Sequence, residues 1–216
     1  MTAARSRLLF GLGFLAALAA LGTLAHRLAR RLPGERPVEL AAAPAPAAPT
    51  DAAAARSVLA VPLFKQWDPR WADQPLGRTS EKMRDVGCTV SCVAMVFSAG
   101  GLPTTPGELN AWLREHGGYT ERGWLIWGKC AEYSGGRLVL DYFGEPDVAV
   151  IERALDAGRP AIVKVVLPGG APHWVVVVGR EGGQYLVNDP LDDSTGPVSL
   201  ERLGGRAWAL RVFRKR

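Results

Sequence analysis

Hydrophobic and polar positions divide the chain into three stretches of different character. Leu8 to Ala25 is an almost unbroken run of Leu, Ala, Phe and Gly. As a helix it would be about 27 Å long, close to the hydrocarbon thickness of a bilayer. Arg5 and Arg7 precede the run and Arg27, Arg30 and Arg31 follow it, which is the flanking pattern of a signal sequence or signal anchor. The length of the run and the Arg cluster behind it favour an uncleaved anchor over residues 1–31. Residues 32–57, including AAAPAPAAPTDAAAA, read as an Ala/Pro-rich linker, a semi-rigid tether that forms no packed core. Such a tether suits a domain held off a membrane, and the exported side is favoured.

From residue 58 to 216 the pattern becomes that of a folded domain. Cys88 to Ser98 is apolar without internal Gly or Pro and stops at Gly100-Gly101, as a buried helix does. Thr105-Pro106-Gly107-Glu108 supplies an N-cap, a first-turn Pro and a capping-box acid for a second helix reaching Gly117. A third helix is expected over Leu125 to Tyr133. Leu138 to Phe143 suits a strand, and Asp147 to Ala157 places Val148, Ile151 and Leu155 on one helical face. Ala161 to Leu167, Trp174 to Gly179, Gln184 to Val187 and Ala207 to Phe213 read as strands. The expected class is α+β, with N-terminal helices packed on an antiparallel sheet.

Charge narrows the function. The formal charge is +5, but the first 56 residues carry seven Arg against three acids, and the remainder carries 19 Lys and Arg against 18 acids. The domain is thus nearly neutral, and a nucleic-acid partner, which needs clustered positive charge, is not supported. Three Cys (88, 92 and 130) are too few for a disulfide framework. Cys88 and Cys92 with the His residues make no zinc pattern, and Asp189, Asp192 and Asp193 lack EF-hand spacing and read as a solvated acidic turn. No metal or cofactor is implied. The seven Trp read mainly as core, with Trp127 and Trp174 as candidates for a cleft wall.

Cys88 follows Gly87 at the start of the apolar helix, where helix N-terminal amides favour thiolate over thiol. Cys92 and Cys130 fit small buried core residues. Of the three His, His26 belongs to the basic flank and His116 to an exposed helix end; His173 opens the strand in PHWVVVVG. If the strands flanking Arg180-Glu181-Gly182-Gly183 form a hairpin, paired positions sum to about 362 or 363 and His173 faces Asp189 or Pro190. Cross-strand neighbours share a face, so Asp189 can orient the imidazole, although Asn188-Asp189-Pro190 is also a common turn signal.

The segments VPLFKQWDPRW, GCTVSCVAMVFSAGG, TPGELNAWLREHGGY, RPAIVKV, HWVVVVG and YLVNDP, in that order, resemble the bacteriocin-processing cysteine peptidase family and its C39-like stand-alone bacterial relatives, over about residues 58–200. The resemblance implies a papain-like fold, Cys88 as nucleophile, His173 as general base, Asp189 as orienting acid, and Gln66 as an oxyanion-hole donor beside the Cys88 backbone N–H. Transporter-linked members carry the Gln a few residues before the Cys, where this chain has Lys82; Gln66 lies further upstream, as in the stand-alone relatives. Thr89-Val90 replaces a frequent Gly-Pro, and no Gly-rich loop ending in Gly-Lys-Ser/Thr accompanies the domain. The expected activity is thiol-dependent hydrolysis of a peptide or peptide-like amide. A cell-wall amidase or transpeptidase of related architecture and a catalytically silent peptide-binding module are the rival readings.

Overall fold

The computed structural model describes residues 36–40 and 56–216. The apolar run Leu8 to Ala25, most of the expected linker and the anchor over residues 1–31 lie outside the described residues. Among the described residues no helix is long and apolar enough to cross a membrane.

One short helix and two longer ones come first. Helix α1 (Met83–Val86) runs through Gly87 into α2 (Cys88–Ala99), and α3 (Pro106–Glu115) follows a loop. Gly87 makes this direct join possible, because a Cβ there would stand 2.4 Å from the Met83 carbonyl oxygen. The expected capping box opens α3: the Glu108 amide donates to Thr105 Oγ1 and the Thr105 amide to Glu108 Oε2. Helix α4 (Trp127–Tyr133) starts two residues later than its periodicity suggests, because Leu125 bridges Tyr119 as extended backbone. Helix α5 (Val148–Asp156) is capped by Asp147, whose Oδ1 accepts from Ala149 N at 2.8 Å.

The main sheet contains β2 (Ser57–Val58), β3 (Leu138–Gly144), β4 (Ala161–Val166), β5 (Pro172–Glu181), β6 (Gln184–Asn188), β7 (Val198–Ser199) and β9 (Ala209–Lys215). Its order is β3-β9-β4-β5-β6-β7, with β2 also on β5 and every pair antiparallel. The backbone of β2 crosses Gly179 so closely that a Cβ there would lie 2.0 Å from the Ser57 carbonyl oxygen.

The Val run of β5 is continuous because both sheet faces are covered. Val176 and Val178 pack with Val93, Met95 and Phe97 of α2, while Val175 and Val177 pack with Ile151 and Leu155 of α5. This alternation follows from the two-residue period of a strand. Within the stretch expected as linker, β1 (Val38–Glu39) pairs with β8 (Arg206–Ala207), and Leu40 is buried in the α5-side core. The architecture is α+β, helices on both faces of an antiparallel sheet.

Candidate active site

The site lies where β6 stops. Strand β6 pairs with β5 only from Asn188 to Gln184, opposite Val176 to Glu181, so the first residues of β5 keep one edge unpaired by strand. The N-terminal end of α2 occupies that edge. The Trp174 amide is directed at the Cys88 sulfur, and Cys92 Sγ donates to the Trp174 carbonyl at 3.2 Å. The backbone N–H and C=O of one residue of β5 are therefore held by two cysteines one helical turn apart.

The hairpin register differs from the expected one. Val176 pairs with Asn188 and Arg180 with Tyr185, giving sums of 364 and 365 with a bulge between Val177 and Gly179. The loop is the two residues Gly182 and Gly183, at φ +55° and +80°, a primed turn that needs left-handed backbone and shortens the expected four-residue connection. Continued past Asn188, the register sets Asp189 across from Val175, on the face of His173 and one diagonal step away. The carboxylate spans that step: His173 Nε2 and Asp189 Oδ1 are 2.7 Å apart. The ring nitrogen left for Cys88 is Nδ1, and His173 hydrogen-bonds the Cys88 thiol.

Asp189 is fixed from several sides. Its Oδ1 also accepts from Leu191 N at 2.8 Å, so the turn signal and the contact with His173 coexist in one residue. Lys65 Nζ donates to the Asp189 carbonyl at 2.8 Å and to Asp192 Oδ1 at 2.7 Å. Asp192, expected as a solvated turn acid, is thus an anchor for Lys65. Gln66 N donates to the Pro190 carbonyl, and Asn188 Nδ2 to the carbonyls of Val61 and Pro62. These bonds dock the segment of Gln66 on the end of β6. Gln66 itself is buried, and its Nε2 donates to the Arg84 carbonyl at 2.7 Å, on the helix that leads into Cys88.

Burial and charge oppose each other here. Burial, the largest influence on Cys88, pushes the thiol up, but the hydrogen bond and charge of His173, the Trp174 amide and the Thr89 hydroxyl together hold it below the usual 9.0. Burial likewise pulls His173 down, and the bonds and charges of Asp189 and Cys88 outweigh it and raise the imidazole to about 9. Asp189 is lowered, burial being overcome by the hydrogen bond and charge of His173. These directions describe a thiolate–imidazolium pair backed by a carboxylate, whose protons titrate jointly. Cys92 is pushed well above 9.0 by burial and by the charges of Cys88 and Asp189, and Cys130 is pushed up to about 12 by burial. Both are poor nucleophiles at neutral pH.

A cavity of about 240 Å³ opens on Cys88 and Thr89, with Trp127, Trp174, Phe143 and Tyr119 among its walls. Trp127 and Trp174 stand 5.2 Å apart, tilted by 58°, in the cleft-wall role expected of them. Trp67, expected as core, is 44% exposed and donates from Nε1 to the Leu191 carbonyl. Sequence reasoning missed the Trp174 peptide, the two roles of Lys65, and Lys164 and Arg211 in the cavity wall. The last two had a signal: each is a cation set among apolar residues, in AIVKVV and ALRVF.

With this geometry, the comparisons identify the class. A sequence profile of the Peptidase_C39 like family matches residues 58–208, and the chain belongs to that family, whose type of function is that of a cysteine peptidase. No curated protein sequence matches the chain. Among solved structures, a candidate C39-like peptidase from Bacillus anthracis is similar at 16% identity and a TM-score of 0.50, over 75% of this chain and 98% of that one. A double glycine motif protease from an AMS/PCAT transporter, in complex with the leader peptide, is similar at 16% identity and a TM-score of 0.43, over 74% of this chain and 94% of that one. The fold is the papain-like fold of C39 peptidases.

The charge balance makes a direct prediction. Because imidazolium stabilises thiolate, alkylation of Cys88 by iodoacetamide should rise with pH through a midpoint below 9.0 in the wild type. His173→Ala removes the largest of the influences that oppose burial and leaves only the Trp174 amide and the Thr89 hydroxyl against it, so its midpoint should move above that of the wild type. Rate measurements between about pH 5 and 10, with peptide mapping, read both midpoints. Equal midpoints would contradict the pair.

Proposed function

We propose that the chain is a thiol-dependent peptidase in which Cys88 is the nucleophile, His173 the acid and base, Asp189 the orienting carboxylate and Gln66 an oxyanion donor. The observation that carries this reading is the buried 2.7 Å bond from Asp189 to His173 Nε2, which commits the opposite ring nitrogen to Cys88. In the first half-reaction the Cys88 sulfur forms a bond to the substrate carbonyl carbon, and the carbonyl electron pair moves to oxygen. The Cys88 backbone N–H at the start of α2 and the Gln66 amide stabilise that oxygen. Collapse expels the amine, which takes its proton from His173, and a thioester remains on Cys88. Water then attacks the thioester and gives a proton to His173, and collapse breaks the C–S bond to release the carboxylic product and restore the Cys88 thiolate beside imidazolium.

Asp189 keeps His173 in the tautomer and orientation both halves require. Asp189→Asn should keep the hydrogen bonds to His173 and Leu191 N while removing the charge. Turnover of a peptide library should then fall on the order of tenfold to a hundredfold, with little change in Tm. Cys88→Ala should abolish turnover and Cys92→Ala should not. Lost stability with unchanged turnover in Asp189→Asn would assign the residue to the turn alone.

The proposal includes location. The apolar run Leu8 to Ala25 with its Arg flanks supports an anchor that holds the peptidase domain on the exported side of a membrane, where peptide or peptide-like substrates reach it. The full-length product should stay in the membrane fraction after carbonate washing and keep an N-terminal tag. A soluble mature form beginning beyond Ala25 would sink the anchor.

A further inference from the structure

The proposed chemistry uses Cys88, His173, Asp189 and Gln66, and leaves the cavity beside Cys88 without a role. That cavity has an unusual wall. Arg211 and Lys164, each 4% exposed, line it together with aromatic rings. Strand register explains how the cations meet. Lys164 pairs with Trp174 on one side and Ala209 on the other, and Arg211 pairs with Ile162, so both cations project on the sheet face that bears Trp174.

Arg211 is held as a rigid plane. Its Nη1 donates to the carbonyls of Gly144 at 3.1 Å and Leu210 at 2.8 Å. Its Cζ lies 3.6 Å from the Phe143 ring centre, 5.3 Å from that of Trp127 and 5.4 Å from that of Trp174. A guanidinium immobilised between rings loses little further entropy when it binds, and its planar fork matches a carboxylate as an ammonium does not. Against aromatic walls such a contact is also less screened than at an open surface. The chemistry of the wall therefore suits a group with an apolar stem and an anionic tip.

We propose that this cavity is a specificity subsite of the peptidase, resting on the function assigned above, and that it selects peptides carrying a carboxylate close to the scissile bond, with Arg211 as the recognising residue. Cys88 and Thr89 line the cavity, so a side chain that enters it belongs to a residue at or near the reacting carbonyl. A Glu side chain fits the description of stem and tip; Gln has the same shape without the charge, and this pair isolates the claim.

The test measures protection of Cys88 from iodoacetamide in the full-length protein by Ac-Ala-Ala-Ala-Ala-NH2 peptides with one Glu, or one Gln, placed at each position in turn. At one position the Glu peptide should protect at a concentration on the order of tenfold lower than its Gln counterpart, the size of one charge-assisted contact. That ratio should shrink as salt is raised, fall towards one in Arg211→Gln, and be partly kept in Arg211→Lys. If Arg211→Gln does not fold, the Glu-to-Gln ratio of the wild-type protein still decides the matter. Equal protection by Glu and Gln peptides at every position would overturn the subsite and leave Arg211 as a packing residue, while the function would stand. Failure of iodoacetamide to select Cys88 at all would instead overturn the function on which the subsite rests.

Discussion

The hydrogen bond between Asp189 and His173 ties the start of β5 to the end of β6, and the charge balance of the site depends on it. His173 comes from the start of β5 and Asp189 from the residue after β6, and their 2.7 Å contact is buried. A neutral imidazole in that position would leave a buried carboxylate with weak compensation; a protonated one gives it a full countercharge. The same proton makes His173 the partner of a thiolate. Burial, which alone would keep Cys88 protonated, is outweighed, because imidazolium, the Trp174 amide and the Thr89 hydroxyl all stabilise the anion.

Backbone architecture makes that contact available. Had β6 continued past Asn188, it would have covered the edge of β5 that receives α2, and Trp174 could not have offered its amide to Cys88 and its carbonyl to Cys92. Gly87 lets α1 turn straight into α2, and the Arg84 carbonyl of α1 accepts from Gln66 Nε2 at 2.7 Å. Lys65 and Asn188 close the other side by tying the segment of Gln66 to the turn after β6. Cys88, Gln66 and Asp189 are each held by a main-chain group of a neighbour and His173 by Asp189, a form of preorganisation that lowers the cost of charge movement.

How far the sequence discloses this varies with the range of the interaction. Local signals hold well: the apolar run of α2, the capping box of α3 and the Val-rich strands are visible because period and cap chemistry act within one element. The pairing of His173 with Asp189 was also legible, although the register was not. The Gly182-Gly183 turn and the bulge before Gly179 each shift the ladder, and their combined effect preserves which face Asp189 occupies. Strand β1 escaped notice because two residues beside an Ala/Pro-rich stretch carry no period; only Leu40, buried by contacts from distant parts of the chain, marks it as part of the fold. Gln66 was reached through the family resemblance, since its ties to Arg84 and Pro190 are long-range. Lys164 and Arg211 were readable as cations in apolar strands, but their meeting depends on the β4–β9 register.

The central claim is that His173 is protonated at neutral pH because it stands between Asp189 and the Cys88 thiolate, and nitrogen NMR of the imidazole tests it most directly. The chain has only three histidines, so His173→Ala suffices to assign the signal. In the wild type the His173 ring should remain doubly protonated through pH 7 and titrate near 9, and in Cys88→Ser, which removes the thiolate charge, the midpoint should fall below the wild-type value. A His173 ring that is neutral at pH 7 in the wild type, or one whose titration ignores the Cys88→Ser change, would contradict the account.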